Sequence, residues 1–209
     1  MISLCTPGTK IYDIIQKGDK FLRDQLEKCF TKKKFMKSVA FPISIAVNEV
    51  CGNFNPIEGE ETKYPHEYVV LSEGDVVKID LGVQIQGLPA MVSHTLVCSS
   101  KDEQVKGRKA DVVLATYYAI QAALRMMNTN KTNNEITAVI AKIAAAFKVN
   151  PVEGVLSHRM KRDIIDGPEV IINKTTFDQK VETRKFVAGD IFGLDVIMST
   201  GEGIPKEVH

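Results

Sequence analysis

The 209-residue chain has no stretch of about 20 consecutive apolar residues, so no membrane insertion is expected. The amino end, MISLCTPGTKIYD, lacks a basic segment followed by an apolar block, and no secretory signal is legible there. The four cysteines (Cys5, Cys29, Cys51 and Cys98) form no C-x-x-C pair and no other zinc spacing. Reduced thiols in a cytosolic or nuclear protein are the simplest reading. There is no excess of charge either: 27 Lys and Arg oppose 26 Asp and Glu, a formal net of +1. A nucleic-acid interface would therefore have to be a local patch. The G-x-S-x-G elbow, the Walker A loop, G-x-G-x-x-G and H-E-x-x-H are all missing, which sets aside the chemistries those motifs carry. The STGEG run at 199–203 has glycines but no phosphate-loop lysine and no strand–loop–helix setting, and reads as a turn.

What is present is an ordinary globular composition, 44% hydrophobic and 25% charged, long enough for a real core. Its centre is the stretch from Gly74 to Cys98, which alternates on both sides of a short middle section as an antiparallel hairpin does. Val77, Ile79, Leu81, Val83 and Ile85 line one face, and Asp80 points the other way with Lys78 and Gly82. A carboxylate between Ile79 and Leu81 is expensive to place in a buried strand and needs a reason. A turn centred on Ile85–Gln86 sets Met91 opposite Asp80. Two facing carboxylates could clamp metal ions; an Asp facing a Met cannot.

Ahead of the hairpin, Ile11, Ile14, Ile15, Leu22 and Leu26 recur at helical spacing over residues 9 to 30, with Thr9 as N-cap and Gly18 on the stripe for close packing. The chain reads as starting partway into a longer element. Lys32, Lys33, Lys34 and Lys37 follow, either a solvated helix end whose cations complement the dipole or a nucleic-acid contact. Val39 to Val47 is a strand that Pro42 marks as an edge or bulge. Asn48 to Tyr68 reads as a long surface loop.

Beyond the hairpin, Gln104 to Asn128 is a helix whose stripe holds Val105, Val112, Val113, Tyr117, Ile120, Leu124 and Met127. Thr132 and Glu135 form a capping box for a second helix that buries Ile136, Val139, Ile140, Ile143 and Phe147. Strands are expected around His158, over Glu169 to Ile172, and over Ile191 to Met198 with Asp195 inside it. A turn falls at Asp166–Gly167–Pro168, and a polar loop at Asn173 to Lys185. Strands, two helices, then strands argue for an α/β or α+β sandwich.

Asp80, His158 and Asp195 are potential ligands in apolar settings, and carboxylate plus imidazole suits Mn, Co, Fe or Zn. Buried polar groups satisfied by hydrogen bonds are the plainer reading, since no short-range spacing links the three. His94 reads as a packed histidine, and His66 and His209 carry no signal.

Several blocks, in order, carry a resemblance. They are AFPISIAVNEVC at 40–51, EGDVVKIDLGVQIQG at 73–87, SHTLV at 93–97, GRKADVV at 107–113, PVEGVLSH at 151–158, IIDG at 164–167 and STGEG. They resemble the pita-bread (creatinase/methionine aminopeptidase) fold, and within it the proliferation-associated, or ErbB-receptor-binding, family of non-catalytic relatives of type II methionine aminopeptidase. The resemblance implies one aminopeptidase-like domain over residues 1–209, incomplete at both ends and truncated before its closing strands.

In active enzymes of that fold, two aspartates, a histidine and two glutamates hold two metals. The resemblance places the first aspartate on Asp80, the histidine on His158, the second aspartate on Met91 and the first glutamate on Asp195. The last glutamate has no counterpart. The two catalytic histidines fall on Asn53 and Asp166. A thioether does not replace a bridging carboxylate for hard or borderline dications, so a pseudoenzyme without a metal or other cofactor is expected. The family further implies binding to ribosomal or structured RNA and the large ribosomal subunit, in ribosome maturation and growth regulation, in cytoplasm and nucleus or nucleolus. The basic candidates are Lys32, Lys33, Lys34 and Lys37, then Arg159, Lys161 and Arg162, then Lys180, Arg184 and Lys185. The resemblance also implies a basic carboxyl-terminal tail, expected to lie outside residues 1–209. A divergent metallo-aminopeptidase using Asp80, His158 and Asp195, and a protein-interaction module gripping a peptide in the old substrate pocket, remain the alternatives.

Overall fold

The computed structural model describes residues 1–59, 61–101 and 104–207; His209 lies outside them. Two compact units divide the chain, Met1–Gln104 and Val105–His209.

In the first unit, helix α1 (Ile11–Lys28) packs its stripe of Ile11, Ile14 and Ile15 against strand β1 (Lys37–Val47). Each of these fully buried isoleucines contributes about 1.5–3 kcal/mol by leaving water. Thr9 is not the cap. The helix starts one residue later, with Lys10 at the N-cap position and no side-chain cap, and the Thr9 hydroxyl instead lies 2.9 Å from that of Thr6. Gly18 has the packing role its place on the stripe implies: an added Cβ would lie 2.9 Å from both Ile43 Cδ1 and Met1 Sδ.

Strand β1 is an edge of the sheet β1–β2–β3, and its register slips on both sides of Phe41, next to Pro42, which cannot donate to the ladder. The Asn48–Tyr68 segment is mainly loop, though the short helix α2 (His66–Val69) begins inside it. Strands β2 (Val76–Ile85) and β3 (Leu88–Val97) are the expected hairpin, with Val77 and Ile79 buried against α1 and β1.

In the second unit, α3 (Arg108–Met126) and α4 (Asn133–Ala146) pack together. The expected helix from Gln104 starts late because Gly107, at φ +67°, leaves helical geometry. Its face is also different from the one expected. Ala115, Ala119 and Ala123 are buried, while Tyr117 and Leu124 are more than half exposed. Alanines let the two helices approach closely, and that contact outweighs burying the larger side chains. The Thr132–Glu135 capping box is present, with both reciprocal hydrogen bonds.

Strand β4 (Asn150–Pro151) pairs with the last strand, β8 (Met198–Ser199). The central β5 (Leu156–Met160) lies between β6 (Val170–Ile172) and β7 (Ile191–Gly193). The expected strand Ile191–Met198 is thus two strands, with Asp195 in the link between them.

An ion-pair network ties this second sheet. Asp190, its side chain 5% exposed, receives Arg184 through two hydrogen bonds of 2.8 and 3.1 Å, and Arg159 Nε lies 2.7 Å away. Arg159 also donates to Glu169 at 2.7 Å.

Two predictions follow from packing and charge. Gly18→Leu should cost about 1–3 kcal/mol by overpacking α1 against β1, read as a lowered denaturation midpoint. Arg184, above all, holds the Asp190 carboxyl below its ordinary pKa. A depressed carboxylate stabilises the fold above its unfolded pKa, and that stability drains as pH falls through the folded one. Asp190→Ala should therefore cost roughly 3 kcal/mol at neutral pH and progressively less in acid.

Candidate functional site

The hairpin turn sits on Gln86–Gly87, one residue later than the expected Ile85–Gln86. A two-residue turn of this type needs φ > 0 at both central positions, and Gln86 (+56°) and Gly87 (+77°) supply it where the β-branched Ile85 does so poorly. The register therefore moves: Asp80 faces Ser93, and Met91 faces Gly82. Met91 is on the same face as Asp80 but one diagonal step toward the turn, a spacing of about 7–8 Å between backbones.

Ser93 Oγ donates to Asp80 Oδ1 at 2.8 Å. On its other side Asp80 pairs with Ser44 of β1, so the carboxylate stands in a row of two serines. Ser44 is buried and its Oγ accepts the Phe54 N–H at 2.9 Å, which fastens the loop carrying Asn53 to this row. Asn53 itself is exposed at φ +56°, a conformation that Asn tolerates well. Two residues along β2, Lys78 donates to the Asn48 carbonyl at 2.8 Å, and burial pushes its pKa down to about 8. Lys78 is on the Asp80 face, as the alternation of β2 implies; Ser44 and Ser93 are the parts the sequence reading missed. Their signal, the phase they share with Asp80 across three strands, becomes readable only once the turn is placed.

In the second unit, His158 sits on β5 between Val170 and Gly193. Its Nδ1 lies 2.8 Å from the Gly167 carbonyl, which can only accept, so Nδ1 carries the proton and Nε2 keeps the lone pair in the neutral ring. Asp166 is the exposed residue just before Gly167. Asp195 is exposed as well. Its backbone is clasped by Ser157, whose Oγ accepts the Asp195 N–H at 2.9 Å and donates to the Asp195 carbonyl at 3.1 Å. That clasp ends β7 early and sets Asp195 beside the His158 strand. Among the described residues no group of three or more His, Cys, Asp or Glu is arranged to hold a metal ion.

The basic candidates separate into two kinds. Lys32, Lys33 and Lys34 are exposed in the loop after α1, with Lys33 Nζ 5.4 Å from the Phe35 ring centroid. They lie past the helix end, and Lys37 opens β1 and donates to the Cys29 carbonyl at 2.8 Å. Lys161 and Arg162 are at the exposed end of β5, Lys180 lies over the Phe177 ring, and Lys185 is exposed. Arg159 and Arg184 belong instead to the network around Asp190, where carboxylates already match their charge.

Burial raises the Asp80 carboxyl above its ordinary pKa, opposed by the Ser93 hydroxyl and the Leu81 backbone. A raised carboxyl favours the fold below its unfolded pKa and loses that contribution as pH rises through the folded one. Asp80→Asn should therefore gain stability relative to the parent between pH 4 and pH 8, as denaturation midpoints across that range would show.

The metallopeptidase family M24 profile matches residues 1–204. Proliferation-associated protein A of Dictyostelium discoideum is 42% identical over 99% of the chain and 52% of its own length. The curved DNA-binding protein of Schizosaccharomyces pombe is 36% identical over 96% of the chain and 51% of its own length. The chain thus spans about half the length of these relatives. The solved structure of a thermophilic Arx1 superposes with a TM-score of 0.85 at 27% identity, covering 99% of this chain and 60% of that one. With the match running through nearly every residue and the backbone following the same pita-bread path, the chain belongs to metallopeptidase family M24, among its proliferation-associated members.

Proposed function

We propose that this protein is a non-catalytic, methionine-aminopeptidase-like RNA-binding protein that acts on the large ribosomal subunit in ribosome maturation and growth regulation. Residues 1–209 would form one aminopeptidase-like domain working in cytoplasm and nucleus. The observation that carries the non-catalytic part is the Asp80–Ser93 hydrogen bond of 2.8 Å. The one carboxylate kept on the hairpin is answered by a hydroxyl of the facing strand.

The two dications of the fold family do not fit the donors present. Met91, in place of the second aspartate, offers a soft thioether where a hard or borderline ion wants a shared carboxylate. Asp195 is one methylene shorter than the glutamate it replaces. Asn53 and Asp166 stand where the catalytic histidines would, so the proton-transfer partners are gone along with the clamp. The RNA part rests on the exposed Lys32, Lys33 and Lys34, three adjacent cations in one loop with no acidic residue among them. Phosphate neutralisation by such a loop releases counterions and makes binding fall with salt.

His158 favours the rival reading, because its Nε2 lone pair stays open and a rebuilt metal site would use it. One preparation separates the two. Binding of a fragment of large-subunit ribosomal RNA should weaken steeply with salt, and Lys32→Ala/Lys34→Ala should flatten the slope of log K against log salt by roughly 1.4–1.8. The same preparation should leave Met-Ala peptides uncut with Co, Mn or Zn. Metal-dependent turnover that Asp80→Ala abolishes would establish the divergent enzyme instead.

A further inference from the structure

The inverted face of α3 leaves an apolar surface with a consequence of its own. Leu114, Tyr117, Tyr118 and Leu124 follow the spacing of one helix face, and all four are exposed, Tyr117 by 57% and Tyr118 by 50%. Tyr118 stacks on Phe147 at the end of α4, with ring centroids 5.9 Å apart and planes at 25°. Between the helices runs a groove of about 560 Å³, whose floor includes Ala122 and Ala146 and whose walls include Tyr117, Tyr118 and Phe147. Small residues on the floor let a further helix come close, and aromatic walls give it rigid anchors.

Among the described residues that line the groove, the charged one is Arg125. Each helix contains a single carboxylate. Asp111 in α3 is paired to Arg108 at 3.4 Å, and Glu135 in α4 to Lys131 at 2.8 Å, both in the first turns. Alongside the groove stand cations: Arg125, held at the wall by Nη1 donating to the Gln121 side chain at 2.9 Å, and the exposed Lys142, one turn before Ala146. An apolar cleft with a cationic rim is complementary to a helix that is apolar on one face and acidic on the flanks.

We propose that the α3–α4 groove docks an acidic amphipathic helix of a protein partner. Its apolar side chains seat against Tyr117, Tyr118 and Phe147, and its carboxylates meet Arg125 and Lys142. This site uses none of the residues assigned to RNA and stands whether or not the RNA reading does.

A random 16-residue peptide library displayed on phage, selected on the whole chain and counter-selected on Tyr118→Ser, tests this. The selected peptides should carry apolar residues at i, i+3, i+4 and i+7 with net negative charge. For a labelled consensus peptide, Tyr118→Ser should weaken binding by at least about 10-fold while the chain still melts cooperatively, its midpoint lowered only by the lost Phe147 stacking. Arg125→Glu should weaken the acidic peptide and strengthen its Lys-for-Glu counterpart. Selection of basic peptides, or of none that Tyr118→Ser excludes, overturns the proposal. So does sedimentation showing a dimer that Tyr118→Ser abolishes, since the groove would then hold a second copy. Binding of a 12-residue oligouridine that is lost in Tyr118→Ser also overturns it, the rings then stacking on bases.

Discussion

A carboxylate on the middle strand of a three-stranded sheet must be answered, and here the answer comes from Ser93 across the hairpin, 2.8 Å from Asp80. Much of the first unit's site depends on that one bond. It gives the charged residue between Ile79 and Leu81 a hydrogen-bond donor. It also gives meaning to the row it belongs to, in which Ser44 on β1 spends its own hydroxyl on the Asn53 loop. Burial pushes the Asp80 carboxyl toward its neutral form, and two hydrogen bonds, rather than a cation, oppose the shift. A site poised for dications would be arranged the other way, with carboxylates converging on a shared centre and held ionised.

Much of this was legible in the sequence, and the failures have physical causes. The period of two in β2 gave the hairpin and the phase of Asp80. It could not give the register, because that hangs on which two residues accept positive φ. Gln86 is not an obvious choice for one of them. The period of helix α3 was equally clear, but bulky residues and alanines both recur at spacing four. Only the close packing on α4 decides that Ala115, Ala119 and Ala123 go inside. The run from Ile191 to Met198 has strand composition throughout. The single hydroxyl of Ser157, accepting from the Asp195 N–H and donating to its carbonyl, diverts it at Asp195, and no local pattern announces a partner so far away in the chain.

Charge shows the same limit. Ten basic residues looked equivalent as letters. In the fold, Arg159 and Arg184 are spent on Asp190, which has almost no exposure of its own, and they hold the second sheet to the segment after Lys185. The lysines at 32–34 project from a loop, where a phosphate can reach them. Sequence composition near neutrality thus hides a division between cations matched inside the fold and cations exposed on its surface. In the α3–α4 groove a third setting occurs, with Arg125 beside apolar and aromatic side chains.

The central claim is that the hairpin has kept its carboxylate and given up the metal clamp. Manganese titration of the whole chain, followed by electron paramagnetic resonance at neutral pH, tests it most directly. If Asp80 is committed to Ser93 and Met91 offers no bridge, the signal of free aqueous manganese should grow from the first addition. Suppression of that signal over one or two equivalents, restored by Asp80→Ala, would contradict it.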